Sequence, residues 1–315
     1  MNYTPPTILK AAPPGWFFFN NSSLEDESCS LRYVYKQVLG RVVSTSSSKD
    51  ESLTIGSCLH DILERITPSH KEFDFHFNPD HVSKYKQQVD TINPLVYTTL
   101  VELAVRIFQS EPNWFADCLR EYKFCIYDDR TLVARGRLYN ETQGAIWCGT
   151  IDLLSFENDW VIIRDYKSTK KKLTGDHVDS YKLKSQPHFY KESLLRIARY
   201  LPHTLPPHYI DAINNQRIKF GYVHVSYTDK NYIAPSPQPI NMFVFEHFQK
   251  LFADRQNLAR ALHDTPNIAL KDGMLANQCW RCNYANICSE NDSEKEQQRI
   301  ERLPIKLYNP LIRET

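Results

Sequence analysis

The sequence predicts an α+β fold in which helical segments surround a group of β-strands. Residues 121–168 are rich in Val, Ile, Tyr, Trp and Phe and contain turn signals at 141–144 and 157–159. This pattern is typical of an antiparallel meander. The segments on both sides space their apolar residues every three or four positions, which is the spacing of a helix with one buried face.

The same two patterns predict the individual elements in order. Helices are predicted over residues 29–39, 56–66, 82–110 (interrupted by Pro94), 179–200 and 242–263. Strands are predicted over residues 121–127, 131–138, 145–156, 160–167 and 219–228, where β-branched and aromatic residues dominate. Residues 1–27 contain turn-forming Pro and Asn, and no helix or strand is predicted there. The polar residues 289–315 suggest a surface tail or a terminal helix.

Composition excludes several classes of protein. The chain has 315 residues with 38 Lys and Arg against 37 Asp and Glu, so it lacks the overall basic charge of a nucleic-acid coat protein. No apolar run approaches the ~18 residues that span a bilayer. The first residues lack a signal-peptide pattern, so we expect a cytoplasmic, intracellular protein. Only nine glycines are present and no P-loop pattern is found, so we expect no motor activity.

The most informative stretch is a predicted hairpin with two carboxylates and a lysine. Asp152 lies among apolar neighbours in the first strand, and the second strand ends in Asp165-Tyr166-Lys167. Because side chains alternate along a strand, Asp165 and Lys167 point to the same face. Carboxylates favour Mg²⁺ or Mn²⁺, and a lysine beside such a metal can orient a water molecule. The usual alternative is an exposed ion pair. Asp152, a charged residue within an apolar strand, raises the weight of the metal site but leaves both interpretations open at this point.

Two further motifs are less specific. His60 lies on a predicted helix with Glu64 one turn later, and a single helical histidine is more often structural or solvated than a ligand. Gln186 and Tyr190 are four residues apart and share a helix face. Pro187 between them is equally consistent with the first turn of an ordinary helix.

The cysteines indicate a metal site in a reducing compartment. Three of them form a C-x₂-C-x₅-C pattern: Cys279, Cys282 and Cys288. Three others lie in or beside apolar segments and are expected to be buried thiols: Cys118, Cys125 and Cys148. Cys29 opens a helix outside any apolar run, so we expect it to supply the fourth ligand. Spacing alone leaves Zn²⁺ and a [4Fe–4S] cluster both open.

Taken in order, these motifs resemble those of a known nuclease family. The order is Cys29, G-x-x-x-H (56–60), G-x-x-D (149–152), D-Y-K (165–167), Q-x-x-x-Y (186–190) and the C-terminal cysteines. The series is similar to the RecB-like branch of the PD-(D/E)XK nucleases, and especially to its iron–sulfur subset. That subset includes the AddB nuclease domain, the CRISPR-associated RecB-like exonucleases and the eukaryotic Fe–S exonucleases.

The resemblance implies a restriction-endonuclease-like core, a central mixed sheet flanked by helices, and a role for each motif. His60, Asp152 and Asp165 would hold Mg²⁺ or Mn²⁺ with the backbone carbonyl of Tyr166, and Lys167 would position the attacking water. Gln186 and Tyr190 would complete the catalytic residues by lining the site, where they would contact substrate or order the lysine. A [4Fe–4S] cluster would tie the N- and C-terminal segments together through Cys29, Cys279, Cys282 and Cys288.

The resemblance also implies how the chain is organised. We expect a single nuclease domain over residues 1–315, with the cysteine cluster at 279–288. Because the interval between His60 and Asp152 is longer than in compact members of the family, residues 67–120 are expected to form a helical insertion.

The activity implied is metal-dependent hydrolysis of DNA phosphodiester bonds that leaves 5′-phosphate and 3′-hydroxyl ends. We expect an exonuclease on single-stranded DNA ends, in DNA repair, recombination, replication or CRISPR spacer processing. Lys170, Lys171 and Lys172 follow the catalytic lysine in a basic segment and would bind phosphates, although an ordinary solvated loop is an equal alternative. Two other functions are open at this point: a structure-specific or endonucleolytic enzyme of the same superfamily, and a non-catalytic Fe–S subunit that binds DNA.

Overall fold

A computed structural model describes residues 16–21, 29–39, 47–66, 93–127, 144–174 and 184–264, together with 266, 284, 298–299 and 301–302. Within these ranges there are seven strands: β1 (Trp16–Phe19), β2 (Cys118–Tyr127), β3 (Gly144–Glu157), β4 (Trp160–Thr169), β5 (Ile218–Ser226), β6 (Asn231–Ile233) and β7 (Gln238–Pro239). They form one mixed sheet.

Helices cover both faces of this sheet. They are α1 (Ser30–Tyr33), which continues as a π-helical turn (Val34–Val38), α2 (Ser47–Arg65), α3 (Pro94–Ser110), α4 (Pro112–Ala116), α5 (Ser185–Tyr200), a 3₁₀ turn (Pro202–Thr204), α6 (Pro207–Asn214) and α7 (Met242–Asp264). The predicted α+β class, a mixed sheet flanked by helices, is therefore confirmed. None of the helices in the described ranges is both long and apolar enough to cross a membrane.

Three of the four strands of the predicted meander are present as β2, β3 and β4, and β2 pairs antiparallel directly with β3, as β3 does with β4. Two parallel pairs make the sheet mixed, because β1 lies beside β3 and β5 lies beside β4. The sequence did not predict β1, β6, β7 or α6. The four residues of β1 are too few to show a period, and their strand conformation depends on pairing with β3. The strand predicted at 131–138 lies outside the described residues.

A gap along one edge of β3 positions the site. On one edge, β2 pairs with residues 146–155 of β3. On the other edge, β1 pairs with residues 144–147 and β4 pairs with residues 153–157. Residues 148–152 therefore have a neighbouring strand on one edge only. The backbone groups on the open edge need other partners, since unpaired buried groups are costly.

Two hydrophobic cores hold the helices on the sheet. On one face, α5, α6 and α7 bury large side chains that include Phe189, Leu194, Tyr209 and Phe252. On the other face, α2 and α3 bury Ile55, Leu59, Leu63, Leu100 and Leu103 against β4 and β5. Each such side chain contributes ~1.5–3 kcal/mol when fully buried. The segment expected to be an insertion therefore contributes a packed helix, α3, and β2 already begins at Cys118 within it.

The C-terminal end of α7 packs on β1 and α1 through a mostly buried histidine. The His263 ring stacks on Phe17 with centroids 4.7 Å apart, and the Tyr33 hydroxyl is hydrogen-bonded to His263 Nε2 at 3.3 Å. Burial lowers the pKa of His263 to about 4, and the nearby Asp264 carboxylate only partly opposes this effect.

This histidine should make the fold less stable in acid. Its folded pKa lies below the ordinary value of 6.5, so the unfolded chain takes up the proton first. The stabilisation is complete above pH 6.5 and should decrease by at most ~3 kcal/mol as the pH falls towards 4. His263→Phe, which keeps the ring, should flatten the free energy of unfolding against pH in this window. His247→Gln, an exposed change on the same helix, should not. If the free energy of unfolding falls equally steeply with pH in wild type and in His263→Phe, His263 is not the cause of this pH dependence.

Candidate metal centre and nuclease site

Three side chains from three elements meet where β4 separates from β3. They are His60 from α2, Glu121 from β2 and Asp152 from β3, and their ligand atoms all lie within 4.8 Å of one another. His60 Nδ1 is 3.1 Å from Glu121 Oε1 and 3.2 Å from Asp152 Oδ1. One imidazole and two buried carboxylates are a donor set that suits a divalent cation such as Mg²⁺ or Mn²⁺.

The backbone of Tyr166 holds two of these side chains. The β3–β4 ladder ends at the pair Leu153 and Arg164, so the peptide groups of Tyr166 no longer face β3 backbone. The Tyr166 N–H instead donates to Asp152 Oδ2 at 2.8 Å, and His60 Nε2 lies 3.3 Å from the Tyr166 carbonyl oxygen. The end of the ladder therefore creates the bonds that orient His60 and Asp152.

Glu121 reaches the site through an unusual backbone conformation. Its neighbours Arg120 and Tyr122 pair with Leu153 and Ile151, so Glu121 lies opposite Asp152. The φ angle of Glu121 is 48°, in the left-handed region that side-chain-bearing residues seldom adopt. Such strain costs on the order of 1–3 kcal/mol and is concentrated at functional sites.

Asp165 and Lys167 occupy the other side of the gap. Lys167 Nζ is 2.6 Å from Asp165 Oδ2, and the Gln186 amide donates to Asp165 Oδ1 at 2.6 Å. The Tyr190 hydroxyl donates to the Thr150 carbonyl at 2.8 Å. Thr150 is one of the β3 residues on the open edge, so Tyr190 supplies the partner that a neighbouring strand would otherwise provide.

The buried charges shift one another's protonation. Burial raises the pKa of Asp165 to about 6; Lys167 opposes this shift and the Asp152 charge adds to it. Burial would also raise the pKa of Asp152, but the charge of His60 and its hydrogen bond hold that pKa below its usual range. Burial acts against protonation of His60, yet Asp152 and Glu121 together raise the pKa of His60 to about 10. Without a metal, His60 is therefore an imidazolium that neutralises part of the acidic charge.

The structure brings six sequence-predicted residues to this gap: His60, Asp152, Asp165, Lys167, Gln186 and Tyr190. Three predicted phosphate-binding residues lie just beyond the end of β4 and are exposed: Lys170, Lys171 and Lys172. Cys29 is described and partly buried. The other three predicted cluster ligands lie outside the described residues: Cys279, Cys282 and Cys288. Of the expected buried thiols, Cys125 and Cys148 are buried and Cys118 is partly buried.

Glu121 was not predicted from the sequence. No motif surrounds it, since it lies in the run Arg120-Glu121-Tyr122-Lys123-Phe124 at the start of a strand. The signal that identified Asp152, a charged residue among apolar neighbours, is weaker here, because Arg120 and Lys123 lie in the same strand. What makes Glu121 a ligand candidate is its position opposite Asp152, which depends on strand register.

Glu121→Gln should weaken Mn²⁺ binding by ~10-fold or more, because it removes one negative charge from the candidate donor set while keeping the shape of the side chain. The dissociation constant can be measured by calorimetry or from the EPR signal of free Mn²⁺. Glu64→Gln is the matched control, since Glu64 is exposed on α2 one turn after His60. An unchanged dissociation constant in Glu121→Gln would remove Glu121 from the metal site.

A mixed sheet flanked by helices, with buried acids and a lysine at a gap between two strands, defines a nuclease domain of the restriction-endonuclease-like class. The family model of the PD-(D/E)XK nuclease superfamily matches residues 22–289, and the chain belongs to that superfamily. No curated protein matches the chain. Membership supports a nuclease with DNA as substrate, and nucleases of this superfamily usually use Mg²⁺ or Mn²⁺.

Proposed function

We propose that this protein is a metal-dependent exonuclease that hydrolyses phosphodiester bonds at the ends of single-stranded DNA. The observation that supports hydrolysis is the convergence of His60, Asp152, Asp165 and Lys167 at one gap in the sheet. The order of motifs, which is similar to that of RecB-like exonucleases, supports action at DNA ends. Such an activity would serve DNA repair, recombination or replication.

The residues present fit the metal that this superfamily uses. His60, Asp152 and Asp165 would hold it, as the motif order implies, and Glu121 would be a further ligand because it lies beside His60 and Asp152. When bound, the metal supplies positive charge that stabilises the phosphate and makes a water molecule more acidic. The backbone of Tyr166 keeps His60 and Asp152 oriented for this role.

Lys167 positions water and phosphate in this mechanism. Its side chain is 44% exposed, whereas Asp165 is 3% exposed, so the ammonium group is anchored at a buried carboxylate and still reaches solvent. A donor held in this way can hydrogen-bond the attacking water and stabilise the negative charge that develops on the phosphate. Gln186 fixes Asp165, and Tyr190 fixes the edge of β3 beside it.

The decisive assay compares DNA substrates with and without ends. The wild-type protein should degrade linear single-stranded DNA with Mn²⁺ or Mg²⁺, should be inactive in EDTA, and should leave circular single-stranded DNA intact. Labels at the 5′ or the 3′ end would give the polarity. Cleavage of the circle would show an endonuclease, and absence of cleavage in every metal would show a non-catalytic subunit. An RNA of the same sequence tests the choice of DNA.

We also propose a [4Fe–4S] cluster on Cys29, Cys279, Cys282 and Cys288, with Zn²⁺ as the alternative. The supporting observation is a contact between the two ends of the nuclease domain. The rings of Tyr35 and Tyr284 lie 5.6 Å apart, and Tyr284 is buried. Tyr35 follows Cys29 by six residues in the sequence, and Tyr284 follows Cys282 by two, which supports one shared ligand set.

The cluster can be tested on protein purified without oxygen. A brown sample that absorbs near ~400 nm and contains about four irons is expected, and Cys29→Ser should lose both properties. Cys118→Ser, at a partly buried thiol that is not in the proposed set, should keep them. One zinc per chain in a colourless sample would show a structural zinc site instead of the cluster. A sample that contains neither iron nor zinc would exclude both kinds of site. We also propose that all of these features belong to one nuclease domain over residues 1–315. The helical insertion predicted at 67–120 must end before Cys118, where β2 begins.

A further inference from the structure

Two lysines flank the ring of Tyr222 beside the candidate site. Lys167 Nζ lies 5.6 Å from the ring centroid and Lys184 Nζ lies 5.3 Å from it. An ammonium group near the face of an aromatic ring is attracted to it. Because Tyr222 is only 2% exposed, its ring is a fixed support. The two nitrogen atoms can be no farther apart than the sum of these two distances. At such a separation, the two lysines can contact neighbouring phosphates of one DNA strand.

Tyr222 is itself tied to the acidic residues of the site. It pairs with Asp165 in the parallel β4–β5 ladder, and its hydroxyl donates to Gln186 Oε1 at 3.1 Å. The Gln186 amide in turn donates to Asp165 at 2.6 Å. These contacts fix the ring of Tyr222 relative to Asp165. A lysine that rests on the ring is therefore also placed relative to Asp165.

The two lysines differ in their charge environment. The Lys167 ammonium is neutralised by Asp165 at 2.6 Å. Lys184 is exposed and, among the residues that the structure describes, forms no ion pair with a carboxylate. Its ammonium group is exposed beside the site and can meet an anion that approaches there. On a chain with a net charge of +1, an exposed lysine at this position attracts a phosphate at short range.

We propose that Lys184 is a positioning residue that binds a phosphate of the substrate strand next to the scissile phosphate, with Tyr222 as its support. This inference rests on the proposed nuclease function and names one substrate contact of that site. Lys184 would hold the strand in register, while Lys167 acts on the reacting phosphate. The contact is to the backbone, so it should be independent of base sequence.

Binding of single-stranded DNA in EDTA measures this contact without cleavage. Lys184→Ala should weaken binding about 3- to 10-fold for every sequence and lower the slope of log affinity against log salt by ~0.7. Lys184→Arg should restore both. The matched control is Lys219→Ala, because Lys219 also lies over an aromatic ring, that of Trp160 at 4.5 Å, but at the opposite end of the β4–β5 pair. The control should leave both the affinity and the slope unchanged.

Kinetics with Mn²⁺ separate positioning from chemistry. Lys184→Ala should raise KM by the same factor and leave kcat within about twofold, since a backbone contact made equally in ground and transition states affects binding alone. If wild type cleaves DNA and Lys184→Ala matches it in affinity, salt slope and KM, the inference is wrong. A large loss of kcat with unchanged KM would also overturn it. Failure of the wild type to cleave any DNA would overturn the proposed function instead.

Discussion

Lys167→Ala is expected to reduce the rate of DNA cleavage by ~10²–10⁴-fold, the range found when a positioned proton-transfer or charge-stabilising group is removed. The ammonium group is the solvent-exposed donor anchored on Asp165, and alanine provides no substitute. Metal binding should change much less, because His60, Glu121 and Asp152 remain. Single-turnover rates at saturating Mn²⁺ and DNA give the chemical step, and a Mn²⁺ titration of the same variant gives the affinity.

Lys219→Ala is the control for this loss of rate. Lys219 lies on the adjacent strand near the end where β4 and β5 begin, and its ammonium group lies over the ring of Trp160. The Lys219→Ala variant should cleave DNA at the wild-type rate. Thermal unfolding of both variants in EDTA shows whether they fold, and Asp165 keeps its hydrogen bond from Gln186 in the absence of Lys167. If Lys167→Ala retains full activity, the assignment of the catalytic site is wrong.

Gly149→Ala is expected to destabilise the protein by ~1–3 kcal/mol, which is typical of overpacking in a core. A Cβ at this position would lie 2.8 Å from Cζ and 3.2 Å from Cε1 of Phe124, a buried ring on the paired strand. Either the ring or the strand must move. Because Thr150 and Asp152 follow directly, cleavage should also decrease. Chemical denaturation and the single-turnover rate measure the two effects.

The other motif glycine provides the comparison. A Cβ at Gly56 would lie 3.5 Å from Ser168 Oγ, which is an ordinary contact, and Gly56 is inside α2. Gly56→Ala should therefore be neutral or stabilising by up to ~1 kcal/mol. When combined with Gly149→Ala, the change Phe124→Leu should restore part of the lost stability, because the smaller side chain relieves the contact with the new Cβ. Equal stability of Gly149→Ala and wild type would show that β2 and β3 adjust without cost.

Much of the candidate site could be predicted from local pattern. The alternation of side chains along a strand is enough to place Asp165 and Lys167 on one face, and an i, i+4 spacing is enough to place Gln186 and Tyr190 on one side of a helix. Motif order then suggested that His60 and Asp152 belong with them. The structure brings all six to one gap. Their roles in catalysis stay predictions until the variants are measured.

Other features could not be predicted because they arise from contacts between distant parts of the chain. The strand conformation of β1 depends on pairing with β3, more than 120 residues away. The position of Glu121 at the site depends on the β2–β3 register and on a backbone conformation with φ of 48°. The difference between Gly56 and Gly149 depends on which side chain faces each glycine. None of these features can be derived from the spacing of residue types within a short stretch of sequence.

The sequence by itself therefore determined the class of fold and the residue types of the site, since periodicity and spacing are properties of neighbouring residues. The tertiary structure decided where β4 separates from β3, and with it which backbone groups of Tyr166 and Thr150 bind site side chains. It also decided that Lys184 shares an aromatic support with Lys167. The physical reason is that hydrogen bonds and packing between strands depend on register, and register is set by the contacts of the whole sheet.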